Sequence, residues 1–64
     1  MKRRKLLKHL RQHGCQVVGE DAKPTRVVNL ANGRRSVVPR HPEIGPGLCL
    51  EICKQLDVPA PAEN

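Results

Sequence analysis

The chain has 64 residues and none of them is Trp, Tyr or Phe, so its core has to be built from smaller apolar side chains. A chain of this length forms one small domain, which buries about 60% of its unfolded surface. A core of Leu, Ile, Val, Cys and Ala leaves little room for a deep pocket around a small molecule. We therefore expect the function to lie on the surface and expect no cofactor.

Two apolar stripes at helical spacing predict helices at residues 3–13 and 46–56. Gly14 suits the left-handed position just past the first helix, and Pro46 suits the first turn of the second. The stripes consist of Leu6, Leu7 and Leu10 in the first helix and Cys49, Ile52, Cys53 and Leu56 in the second.

Between the helices, valine-containing runs predict strands at residues 16–19, 25–30 and 34–38. Asn32-Gly33 indicates a two-residue hairpin turn, with Gly33 at positive φ. We expect Val17, Val27 and Val37 to face the core. The predicted fold is α+β, in the order α-β-β-β-α, with a three-stranded antiparallel sheet and both helices on one face. The domain is expected at residues 1–58 and a disordered tail at 59–64.

The net charge is +6, but the charge is distributed unevenly. Residues 1–41 carry eleven basic and two acidic side chains (+9), whereas residues 42–64 carry one basic and four acidic (−3). A basic surface attracts phosphate backbones by releasing their counterions. The alternative interpretation is that the charge only keeps the protein soluble. The candidate RNA-binding residues are Lys2, Arg3, Arg4, Lys5, Lys8, Arg11, Lys23, Arg26, Arg34 and Arg35.

Three cysteines cannot all pair within one chain, and we find no secretory or membrane-spanning stretch. We therefore expect a cytoplasmic protein with reduced cysteines and no membrane contact.

Two pairs of residues have the spacing of metal ligands on a helix. His9 and His13 lie on the polar side of the first helix, whereas Cys49 and Cys53 belong to an apolar stripe. Solvated histidines and buried cysteines acting as small hydrophobes account for both pairs. We predict no metal site.

Three local motifs in this order resemble the HicA family of bacterial toxin–antitoxin toxins. They are KLLKHL with HGC at residues 5–10 and 13–15, NGRRSVVPRH at 32–41 and GLCLEICKQL at 47–56. The resemblance covers about residues 3–58. It implies a double-stranded-RNA-binding-like fold, a metal-independent endoribonuclease acting on mRNA (an mRNA interferase), and a HicB-type antitoxin as partner.

Members of that family carry Gly-Ser-His or Gly-Asn-His at the start of the second strand, where the histidine is the expected general base. An imidazole suits this role because its pKa lies near neutrality. Here the corresponding residues are Ala22, Lys23 and Pro24, and no histidine lies between His13 and His41. We predict that the expected catalytic histidine is missing. His41 matches the family's Val-Pro-x-His ending and is read there as structural.

Three functions remain open at this point. The chain is an RNA-binding, HicA-like protein with impaired catalysis, or an active ribonuclease that uses another residue such as His41. The third alternative is a non-enzymatic module that binds an antitoxin or regulates a paired gene. RNA cleavage distinguishes the second function from the others, and a salt-dependent affinity for RNA distinguishes the first from the third.

Overall fold

The computed structural model describes residues 1–19 and 24–61. Its elements are α1 (Arg3–Gln12), β1 (Cys15–Val18), β2 (Thr25–Asn29), β3 (Arg35–Val38) and α2 (Pro46–Leu56). The three strands form one antiparallel sheet with β2 in the middle. The predicted α+β architecture is therefore confirmed.

The first helix forms where the leucine stripe predicted it. Leu6, Leu7 and Leu10 are all buried, while the intervening positions are polar. Gly14 follows with φ +85°, a backbone conformation that residues with a Cβ atom rarely adopt. Its N–H donates to the carbonyl of Arg11. The chain then turns directly into β1.

The second helix has the predicted bounds. Pro46 occupies its first turn, where a missing N–H leaves no helical hydrogen bond unmade. The whole predicted stripe is buried, namely Cys49, Ile52, Cys53 and Leu56. The helix ends at Leu56, and the next residue, Asp57, adopts the left-handed conformation with φ 57°.

Both helices cover the same face of the sheet. Thr25, Val27 and Asn29 alternate inward along β2 and are buried. The guanidinium of Arg3 in α1 donates to Thr25 Oγ1 (2.6 Å), and the Asn29 amide donates to the carbonyl of Leu56 in α2 (2.8 Å). The opposite face of the sheet is therefore not covered by either helix, and we call it the open face.

The predicted inward orientation of Val37 is wrong, because its side chain is 46% exposed. Thr25 pairs with Val38, so the alternation along β3 turns Ser36 and Val38 inward and Val37 outward. Val17, also predicted to be buried, is half-buried and packs against the edge of the core.

The predicted two-residue turn at Asn32-Gly33 is also wrong. The hairpin closes at Asn29, whose N–H donates to the carbonyl of Arg34, so the loop comprises residues 30–33. Gly33 does adopt the expected positive φ of +76°. Asn29 at the end of β2 and Asn32 in this loop both donate to the carbonyl of Leu56 at the end of α2.

The segment between β3 and α2 adds a core residue that the sequence analysis missed. Ile44 is 2% exposed, and its N–H donates to the carbonyl of Met1. Lys2 and Glu43 form an isolated antiparallel bridge next to this bond. The start of the chain is therefore attached to the loop that precedes α2.

The tail from residue 59 stays a prediction. The carbonyl of Pro59 is 2.7 Å from His9 Nε2, and residues 62–64 lie outside the described part of the chain. Neither helix of the described residues has the length and apolar character needed to span a bilayer.

Candidate nucleic-acid interface

The exposed face of α1 is strongly basic. Arg4, Lys8 and Arg11 are spaced by four and three residues, so they share one side of the helix over about 10 Å. No carboxylate of the described residues forms an ion pair with any of them. We call these three residues the helix cations. Lys2 and Lys5 are exposed beside them.

Arg3 has a different environment from its neighbour Arg4, although the sequence analysis grouped them. Its side chain is half-buried, with Nε donating to the carbonyl of Pro39 (3.0 Å) and Nη2 donating to Thr25 Oγ1. These bonds attach the N-terminal end of α1 to the start of β2 and the end of β3. The charge of Arg3 therefore contributes to the local field while its donors hold the fold together.

The remaining candidate cations lie elsewhere. Arg26 and Arg35 are exposed on the open face of the sheet, opposite the helices. Arg34 lies in the hairpin, where its Nε donates to the carbonyl of Gln55 near the C-terminal end of α2, a position that favours a cation. Lys23 lies outside the described residues. The nine candidate cations among the described residues thus do not form one continuous surface.

A shallow cleft lies between the start of β2 and the end of β3. It is lined by Pro24, Pro39, Arg40 and His41. The two segments meet because Thr25 pairs with Val38 in the antiparallel sheet. Pro24, which the sequence predicts to replace a catalytic histidine, and His41 therefore share one surface, which the bonds of Arg3 connect to the N-terminal end of α1.

Pro24 and His41 were not linked in the sequence-based prediction, and Arg40 was not among the predicted RNA-binding residues. A signal for the cleft was present, because Pro24 precedes one predicted strand and Pro39 ends its antiparallel neighbour. In a hairpin these two ends lie side by side. Arg40 and His41 follow Pro39 and so lie beside Pro24.

The other two histidines lie outside the cleft. The rings of His9 and His13 lie against each other at the C-terminal end of α1, with centroids 4.6 Å apart and their planes tilted by 55°. Among the residues that the structure describes, no group of three or more His, Cys, Asp or Glu side chains is arranged to hold a metal ion.

The cysteines belong to the packed interior. Cys15, Cys49 and Cys53 are free and buried. Burial raises the pKa of each thiol, and for Cys53 the neighbouring cysteines raise it further. A raised pKa keeps these groups as neutral thiols at neutral pH, so they are poor nucleophiles and poor metal ligands.

A protein-family comparison identifies a related group of proteins. The family model described as HicA toxin of bacterial toxin–antitoxin matches residues 3–58. The matched range begins at the first residue of α1, ends just after α2 and includes the cleft. Searches of curated proteins and of solved structures found no significant match.

Proposed function

Because the chain belongs to the HicA toxin family of bacterial toxin–antitoxin systems, we propose that it binds RNA through the helix cations and the adjoining cleft, with impaired cleavage. The family implies an RNA substrate and an antitoxin partner. The observation that carries the proposal is the position of the helix cations on a helix whose N-terminal end adjoins the cleft.

Electrostatics supports this mode of binding. Three cations on one side of a helix, with no ion-pair partner among residues 1–19 and 24–61, present a local field to which phosphates are attracted. Recognition of an RNA duplex relies mainly on its shape and on phosphate and 2′-hydroxyl contacts, so it needs cations more than aromatic rings. The chain has no aromatic residue, which disfavours binding of single strands by base stacking.

Impaired catalysis follows from the chemistry of the cleft. Cleavage that begins at a ribose 2′-hydroxyl needs a base to take its proton while the oxygen attacks the neighbouring phosphate. Pro24 has no titratable side chain, and the preceding residue is a lysine, a residue type that is ordinarily protonated at neutral pH and so makes a poor base. Within the described lining of the cleft, His41 is the residue with an imidazole.

A second function is favoured by one specific observation, namely that His41 lines the same cleft as Pro24. In this alternative the His41 imidazole accepts the 2′-hydroxyl proton and the 2′-oxygen attacks the phosphorus. The bond to the 5′-oxygen then breaks, and that oxygen takes up a proton. Arg40 would place a positive charge near the phosphate as negative charge develops there.

The binding surface is tested with two charge-reversed variants that have the same net charge. Arg4→Glu/Lys8→Glu and Arg26→Glu/Arg35→Glu each lower the net charge by four, the first on α1 and the second on the open face. We expect the first variant to lose about 100-fold in affinity for a fluorescent RNA duplex at low salt and the second to change only a few-fold. Equal losses would show that binding depends on overall charge and not on α1.

Catalysis is tested by incubating the protein with a long mRNA, with and without a chelator. We expect binding with very slow cleavage or none. Cleavage at a rate typical of an active ribonuclease that His41→Ala abolishes in a folded protein would establish the second function instead. If the protein neither binds nor cleaves RNA, the remaining function is that of a non-enzymatic interaction module.

A further inference from the structure

The open face of the sheet carries exposed apolar side chains. Val18 and Val37 are 39% and 46% exposed, and Val28 on the central strand is half-buried. Val28 lies on the central strand, diagonal to both of the others and about 7–8 Å from each. We call these three residues the valine patch. They line a shallow depression on this face.

Two arginines lie within and beside this patch. Arg26 pairs directly with Val18 on one side and with Val37 on the other, and Arg35 pairs with Val28. An arginine in such a position lays its aliphatic stem along apolar neighbours and keeps the guanidinium in water. No acidic side chain lies on the described residues of the three strands, and neither arginine has an ion-pair partner among them.

This combination selects one class of ligand over two others. A second copy of the chain would bring arginines against arginines, which like-charge repulsion opposes. An RNA backbone would neutralise the charges of the arginines. It would place its polar groups against the valines, so burying the valines there would bring no hydrophobic stabilisation. A polypeptide with apolar side chains flanked by carboxylates satisfies both the valines and the arginines.

We propose that the valine patch with Arg26 and Arg35 is a docking surface for a protein partner that presents apolar residues flanked by Asp or Glu. Exposed apolar residues bordered by charge are typical of such interfaces. The surface lies on the side of the sheet opposite α1. It is therefore independent of the RNA-binding proposal, and a partner bound there leaves the helix cations accessible.

The test uses peptides selected from a random phage-displayed library against the full chain, in the presence of excess RNA duplex. The selected peptides are then measured against Val18→Thr/Val28→Thr/Val37→Thr, which keeps β-branched side chains but makes them polar. A second variant, Arg26→Glu/Arg35→Glu, removes the charge complementarity. The control is Arg4→Glu/Lys8→Glu on the opposite side, and thermal unfolding checks that all variants fold.

We expect selected peptides to combine apolar and acidic residues. Each open-face variant should weaken their binding by roughly tenfold or more, as for central interface residues, and the α1 variant should not. Amide shifts caused by the peptide should map to β1, β2 and β3. The proposal fails if no peptide is enriched, if enriched peptides bind all variants equally, or if Val→Thr weakens RNA binding instead. Self-association in sedimentation experiments that Val→Thr removes would also overturn it.

Discussion

The exposed face of α1 and the open face of the sheet both carry arginines, but what lies between the charges differs. The helix cations are neighbours of other polar side chains, whereas Arg26 is placed between two exposed valines. Cations in a fully hydrated setting suit a hydrated polyanion, and cations within an apolar patch suit a protein surface. The number of charges alone therefore does not identify the ligand of either face.

The largest expected effect concerns catalysis on the helix side. The change Ala22→Gly/Lys23→Ser/Pro24→His tests the prediction that these three residues replace the family's histidine motif just before β2. We expect RNA cleavage to rise by about 10²–10⁴-fold over the unchanged chain, because a positioned general base contributes about that much. The rate is measured on a long mRNA with a chelator present. Val28→His serves as the control, since it puts an imidazole on the open face and should produce no cleavage.

The next effect is the salt dependence of RNA binding. Neutralising two helix cations as Arg4→Gln/Lys8→Gln should flatten the slope of log affinity against log salt by roughly one unit for each phosphate that the variant no longer neutralises. The matched change Arg26→Gln/Arg35→Gln should leave the slope nearly unchanged. Fluorescence anisotropy across a salt series measures both. If the two slopes fall together, RNA contacts both sides of the domain and the distinction between the faces disappears.

A smaller effect, on the free energy of unfolding, distinguishes the covered face of β2 from its open face. Val27 is 1% exposed on the covered face, whereas its neighbour Val28 belongs to the open face. Val27→Thr buries a hydroxyl among apolar neighbours and should lower the free energy of unfolding by about 2 kcal/mol. Val28→Thr should change it by no more than about 0.5 kcal/mol. Urea unfolding gives both values, and equal values would contradict the sheet orientation.

The smallest effect distinguishes Arg3 from Arg4. Arg3→Met keeps the aliphatic stem but removes the bonds to Pro39 and Thr25, so it should lower the free energy of unfolding by about 1–2 kcal/mol. Arg4→Met removes a surface charge and should leave stability within about 0.5 kcal/mol while weakening RNA binding. Denaturant unfolding and RNA titration together test the pair. If Arg4→Met lowered the free energy of unfolding as much as Arg3→Met, both arginines would contribute to the stability of the fold and the distinction between them would be wrong.

The candidate site was predictable in part. The basic character of α1 follows from its residues, and its exposed side follows from the leucine stripe opposite. The different environments of Arg3 and Arg4 were not predictable, because the partners of Arg3 are Thr25 and Pro39, far along the chain. The cleft likewise depends on the pairing of Thr25 with Val38, which joins segments that are separate in sequence.

The amino-acid sequence alone determined the two helices, the end of the first helix before Gly14, the positive φ of Gly33 and the succession of three strands between the helices. These features depend on residues within a few positions of each other, through helical spacing and backbone sterics. Tertiary packing decided that Val38 rather than Val37 faces the core, and that Asn29 and Asn32 both donate to the carbonyl of Leu56 at the end of α2. Strand register decides which valine is buried, because a shift of one residue moves every side chain of the strand to the opposite face of the sheet. Two adjacent valines give no local preference for either face.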